Sequence, residues 1–374
     1  MIDTVILSIP KTKVMSLDFT DDKIQPWSLQ ASTNVYDKYV KNPYRKGAKQ
    51  AEYYPRLTET RRKGENGGWV STIKIEFSAP KLLYQNNLDE LAEDQFNNVV
   101  NLLREQMKKM GVGILTENIN NASVTAVHYS KNIEVTNGYT AEYVISELNK
   151  INLNKRFDLT RSRYMNDGQS LYAYTAAHSL VLYDKIADLS RGKKRSIDRD
   201  QSEYQLSLLK QLEKKEPEIL RIEVRLSQKQ KINALFDKLG FEKNPTFQEV
   251  FSETKSKAVL QHYWDTMVDG HIPLLFTHSL TTKETLKQIL LAQPNIKPKE
   301  ALYRAGLVWA SREGNGMREL RSMLTKRAND RTWYRLVVDA KATGVALSEL
   351  QPREWCNQIK LSIADYRPYR VKNA

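Results

Sequence analysis

Residues 69–80, WVSTIKIEFSAP, alternate in a way that suits one kind of element. Ile73, Ile75 and Phe77 are apolar, while Lys74, Glu76 and Ser78 beside them are polar. A period of two sends the first set to one face of a strand and the second to the other. The stretch therefore predicts a half-buried strand, and NGG at 66–68 supplies hairpin turn chemistry just before it.

Further strands interleave with helices. TVILSIP predicts a first strand ended by Pro10, and ASVTAVHYSKNIEV and ILRIEVRL two more. SLYAYTAAHSLVLYDK predicts a pair of strands joined by a tight turn. Between them, NLDELAEDQFNNVVNLLREQMKKMG predicts a helix with Asn87 as its cap, Glu90 at the capping-box position and Gly111 as its stop. TAEYVISELNKI and QSEYQLSLLKQLEKK predict two others, the second closed by Pro217. Strands in adjacent hairpins, broken by helices, argue for an α+β domain with a largely antiparallel central sheet and flanking helices. The order of elements hints at a duplicated unit, although no sequence repeat is visible.

After about residue 227 the pattern turns helical, from KQKINALFDKLG to RTWYRLVVDAKATG. The expected organisation is a first domain over residues 1–227 and a helical C-terminal domain over 228–374, suited to DNA binding or self-association. RGKKRSIDRDQ at 191–201 reads as a charged loop inside the first domain.

Charge speaks to partners. Lys and Arg number 58 against 44 Asp and Glu, a net +14, and nucleic acid is the commonest partner of so basic a chain. Phosphate contacts are expected from segments 38–50, 56–63 and 191–199. Trp69 and the tyrosines at 53, 54, 172 and 174 are candidates for stacking on unpaired bases. A single cysteine, Cys356, excludes an internal disulfide framework and a cysteine-based zinc site. No basic leader opens the chain, and no apolar run approaches the ~18–20 residues of a membrane span. The expectation is a soluble cytoplasmic protein with no membrane partner.

Three predicted strands carry a polar residue between apolar neighbours: Glu76, His128 and Glu223, the last flanked on its own face by Arg221 and Arg225, which are expected to contact DNA phosphates. If the strands are sheet neighbours, two carboxylates and an imidazole converge, a donor set suited to Mg²⁺ or Mn²⁺. Each of the three also fits an ordinary position on a wet sheet face. Tyr183, at the end of SLVLY, is a candidate nucleophile. Its hydroxyl, with an ordinary pKa near ~10, needs help to attack phosphorus. A metal that polarises the phosphate supplies part of that help, and a cation such as Lys185 favours the phenolate. Lys185 shares Tyr183's face if the strand continues that far. Arg191, Lys193, Lys194 and Arg195 follow within a short chain length, placed to hold phosphates. His178 is a second candidate near Tyr183, with packing or a phosphate contact as its expected role.

The segments MIDTVILSIP, KIEFSAPKLL, AVHYSKN, LVLYDKIADL, RIEVRL and RTWYRLVVDAKATGVALSEL, in this order, resemble the filamentous-phage replication initiators. These are rolling-circle tyrosine nickases with a more distant likeness to plasmid Rep proteins. LVLYDK followed by RIEVRL is the most specific pair. The resemblance implies an HUH/Rep-like nickase domain acting in a bacterial host cell alongside host replication proteins. It also implies a covalent nucleophile at Tyr183 and strand carboxylates at Glu76 and Glu223. At His128 the phage pattern has an aspartate, whereas histidine is the usual ligand in the wider superfamily. The implied activity is nicking of one strand at an origin through a 5′-phosphotyrosine, followed by rejoining. A relaxase or transposase of the same chemistry, or a non-catalytic origin-binding protein, are the alternatives.

Overall fold

The computed structural model describes residues 1–18, 26–41, 52–151, 162–165, 169–190, 217–267, 280–310, 316–324, 330–341 and 354–371. Ten strands of the described residues form one antiparallel sheet. In chain order they are β1 (Ile2–Pro10), β3 (Ser28–Ser32), β4 (Tyr36–Lys41), β5 (Arg56–Lys63), β6 (Trp69–Ser78), β8 (Ser123–Glu134), β9 (Ser162–Met165), β10 (Ser170–Tyr174), β11 (His178–Asp184) and β12 (Ile219–Leu226). A separate two-stranded sheet pairs β2 (Val14–Leu17) with β7 (Val112–Ile114). The architecture is α+β.

The order across the sheet is β3-β4-β5-β6-β1-β8-β12-β11-β10-β9. It contains the same plan twice. A central strand, β1 or β8, is followed in the chain by four strands that return to lie beside it. The two central strands pair antiparallel, with Val5 opposite Val127, so one half is turned about this seam relative to the other. The duplication hinted at by element order is thus a duplication of topology.

Alternation sorts the two faces. Val5, Leu7, Ile73, Ile75, Phe77, Val127, Tyr129, Leu220, Ile222 and Val224 are all buried in one core. Helices cover them, four of which carry much of the packing. In α2 (Phe96–Lys109) the inward residues are Val99, Val100, Leu103 and Met107, a spacing that keeps them on one stripe. After β12 come α6 (Lys229–Lys238), α8 (Glu253–Met267) and, far along the chain, α13 (Glu354–Asp365). Ile232, Leu235, Val259, Leu260, Trp264, Trp355, Ile359 and Ile363 all belong to the sheet's core.

This packing redraws the expected boundary at 227. The helical half is not one separate body, because its first and last described helices bury their apolar stripes against the sheet. Only the intervening helices α9 (Thr282–Ala292), α10 (Pro298–Ala310), α11 (Gly316–Leu324) and α12 (Asp330–Lys341) build small cores of their own. Those cores centre on Ile289, Ala301 and Ala305, and on Leu307 and Trp333.

Two local expectations also change. The helix expected from residue 87 starts at Phe96, after a short 3-10 turn, because the preceding segment is committed elsewhere. Asn86 Oδ1 accepts from the backbone of Leu88 and Asp89, which makes a tight turn. Glu90 is not a cap: it is buried, accepts Lys131 Nζ at 2.8 Å and Tyr369 N at 2.8 Å, and also takes the Asn132 backbone N–H. Lys131 also donates to the Arg367 carbonyl, and Tyr369 and Val371 bond to Glu90 and Asp89, so residues 367–371 are strapped to the central strand and the 89–90 segment beside it. The second difference is at Lys185: β11 ends at Asp184, and α5 (Lys185–Ser190) begins where the strand was expected to continue. The basic loop Arg191, Lys193, Lys194, Arg195 and the helix expected over 201–215 lie outside the described residues.

Candidate active site

The face of the sheet opposite the core carries the candidate site. Register alone assembles it: Arg221 pairs with Asn132, Glu223 with Ser130 and Arg225 with His128, while Tyr183 pairs with Arg221 on the other side. Tyr183, Arg221, Glu223, Arg225 and His128 therefore share one face across three adjacent strands.

A carboxylate that alternation had assigned elsewhere joins them. Counting by twos along β1 from Val5 and Leu7 puts Asp3 in the core. The register between β1 and β8 slips between Ile2 and Thr4, a bulge that turns Asp3 and Thr4 together to the polar face. Asp3, His128 and Glu223 each offer a ligand atom within 4.8 Å of the others. These three could hold a metal ion: two hard oxygen donors and an imidazole suit a divalent cation.

Glu76, the expected third ligand, is not in the cluster. It does point to the same face, but its neighbour on β1 is Ile6, which in turn faces Ala126. Strands β1 and β8 stand between β6 and β12, so three inter-strand steps, roughly 14 Å in all, separate the two glutamates' strands. The local sequences Ile75-Glu76-Phe77 and Ile222-Glu223-Val224 look alike because β6 and β12 occupy corresponding places in the two halves of the sheet.

Glu223 is the hub. Its Oε1 accepts Arg225 Nε at 2.9 Å and lies 3.4 Å from His128 Nδ1. Its Oε2 accepts Arg225 Nη2 at 3.1 Å and the Tyr183 hydroxyl at 3.3 Å. Burial alone would raise this carboxyl, but Arg225, His128 and Arg221 outweigh it and hold Glu223 well below the usual carboxylate range. Removal from water pushes the Tyr183 phenol well above its ordinary 10, against the pull of Arg221. In this arrangement Tyr183 presents a neutral hydroxyl to an ionised acceptor.

Lys185, one residue into α5, still reaches the tyrosine. Its Nζ stands 5.5 Å from the centre of the Tyr183 ring and 3.6 Å from Asp188 Oδ2. The side chain is fully buried and makes no hydrogen bond among the described residues. Burial, with Arg221 adding to it, pushes its pKa down to about 8.

The other expected site residues divide. Arg221 is not placed as a phosphate contact: it is 1% exposed and its two Nη atoms donate to Asp3, Asn87 O, Ser130 Oγ and Asn132 Oδ1. Arg225 is half-buried and stands 5.8 Å from the Tyr172 ring, which stacks on Tyr174 with centres 5.0 Å apart. His178 packs: its Nδ1 meets the Tyr263 hydroxyl at 2.6 Å, and burial lowers its pKa to about 4. Tyr53 and Tyr54 are tied to Ser78 N and Glu52, whereas Trp69 is exposed.

No described helix is long and apolar enough to cross a membrane. Comparison with family models, with characterised proteins and with solved structures finds no match.

Proposed function

We propose that the chain is a divalent-metal-dependent DNA nickase and strand-joining enzyme. In this reading it opens one strand at a replication origin through a covalent 5′-phosphotyrosine on Tyr183. One observation carries the reading. The Tyr183 hydroxyl rests 3.3 Å from Glu223, which shares a 4.8 Å donor cluster with His128 and Asp3. A candidate nucleophile and a candidate cation site thus meet on one face of an antiparallel sheet, which fits the Rep-like expectation.

Mg²⁺ or Mn²⁺, held by Asp3, His128 and Glu223, would polarise the scissile phosphate. The protein's own part is orientation. Ionised Glu223 is a weak base, so it aims the Tyr183 hydroxyl rather than stripping it. In the transfer the Tyr183 oxygen forms a bond to phosphorus as the bond from phosphorus to the 3′-oxygen breaks. The phenol gives up one proton and the departing 3′-hydroxyl gains one. The phosphodiester is exchanged rather than lost, and the reverse step rejoins the strand.

Supercoiled origin DNA with Mn²⁺ tests this. Expected are nicked circles and a protein–DNA adduct that survives denaturation, both absent in Tyr183→Phe. A fully active Tyr183→Phe would refute the assignment. Nicking that persists in excess chelator would refute the metal and leave charge stabilisation to the arginines.

A further inference from the structure

The charges at the cluster already balance. Asp3 and Glu223 bring two negative charges, and Arg221 and Arg225 bring two positive ones. A divalent cation added to this buried set would leave two positive charges in excess; releasing one guanidinium removes one, and a bound phosphate offsets the other.

The two arginines differ in how they are held. Arg221 is 1% exposed and divides its donors among Asp3, Asn87, Ser130 and Asn132, on β1, β8 and the 85–90 turn. Arg225 has a side chain 34% exposed, and its hydrogen bonds among the described residues all go to Glu223. Its fork spans both carboxylate oxygens, the atoms a cation would need. Arg221 is fixed in place, and Arg225 is able to swing.

We propose that Arg225 is a displaceable counter-ion. It occupies Glu223 until a divalent cation binds there, then turns its fork outward to a phosphate of the nucleic acid. The inference rests on the metal reading above. It makes Arg225 a positioning residue that couples cation loading to strand binding. Its place supports the second half of the exchange. It lies opposite His128 in the sheet and beside the stacked pair Tyr172 and Tyr174, so a strand crossing those rings passes its guanidinium. A planar fork freed from one carboxylate suits a phosphate equally well.

The test measures Mn²⁺ binding without DNA, by the loss of the free-ion spin-resonance signal, on the full chain. If Arg225 competes with the ion, Arg225→Gln binds Mn²⁺ at least about tenfold more tightly than the unaltered protein. Arg225→Lys, which keeps the charge but not the fork, falls between them and covers the case in which the glutamine variant folds poorly. Glu223→Gln loses the ion. With Mn²⁺ saturating, Arg225→Gln should also bind an oligothymidylate less tightly, with a salt slope smaller by up to ~0.7 because one phosphate is no longer neutralised. Unchanged or weaker Mn²⁺ binding in both Arg225 variants overturns the proposal while leaving the metal site standing. No Mn²⁺ binding by the unaltered protein overturns the metal reading, and this inference with it.

Discussion

Lys185 offers a sharp test of how the site is built, because its ammonium is buried without a hydrogen bond among the described residues. In the unfolded chain a lysine keeps its proton up to about 10.4. In the folded protein burial brings that down to about 8. Between these values the unfolded state binds more protons, so stability rises with pH; below about 8 both states are protonated and the folded one carries the whole penalty. At about 1.4 kcal/mol per pH unit, the full gap corresponds to about 3 kcal/mol. Lys185→Met keeps most of the volume and removes the titration. Urea unfolding of both proteins at a series of pH values from about 7 to 9.5 gives the stability of each. The difference, unaltered protein minus variant, should climb by about 1.6 kcal/mol between pH 8 and 9.5 and stay nearly flat between 7 and 7.5. Taking the difference cancels the tyrosines, Tyr183 among them, which titrate in both proteins. A flat difference throughout would mean that the ammonium is solvated. A pair with Asp188, 3.6 Å away, that outweighed burial would lift the folded pKa above about 10.4 and likewise leave the difference flat in this window. In either case the flat difference refutes the argument.

Three further outcomes are expected, the first two from the geometry and the last from the sequence alone. Asp3→Asn should weaken Mn²⁺ binding at least tenfold while Glu76→Gln leaves it unchanged; the reverse ranking, read by the same titration, would restore Glu76 as a ligand. Glu90→Gln should lower stability by about 3 kcal/mol in urea unfolding, since it leaves the Lys131 ammonium buried against an uncharged partner. Changing Arg191, Lys193, Lys194 and Arg195 together to alanine should weaken binding to specific and random DNA alike. It should also reduce the slope of log affinity against log salt by up to ~0.9 for each phosphate that these side chains neutralise.

Where the sequence was legible, strict period-two or helical spacing made it so. ILRIEVRL is β12 to the residue, and SLYAYTAAHSLVLYDK is the β10–β11 hairpin. Legibility failed where a single residue changes the count. Nothing in MIDT announces that Asp3 and Thr4 share a face, because a bulge is a property of two strands in register rather than of one. Glu90 sat at a capping-box spacing, yet a lysine far along the chain, Lys131, claims its carboxylate. The helix Glu354–Asp365 shows Trp355, Cys356, Ile359 and Ile363 at helical spacing, which was there to be read. That it closes the core of a sheet begun at Ile2 was not, because packing across such sequence distance leaves no local mark.

The duplicated topology explains both what the strand pattern promised and what it misplaced. Each half sets a glutamate on the strand beside its central strand, on the same face: Glu76 on β6 and Glu223 on β12. Only the second has a partner set. Glu223 lies next to β11, which delivers Tyr183, and next to β8, which delivers His128. Glu76 lies between β1, whose facing residue is Ile6, and β5, whose facing residue is Arg56. The first half nevertheless contributes Asp3, and it can do so only because β1 and β8 pair at the seam and β1 bulges toward its neighbour there. Neither half alone holds the triad. A change that shifted the β1–β8 register by one residue would turn Asp3 or His128 to the core and dissolve the cluster without touching Tyr183 or Glu223.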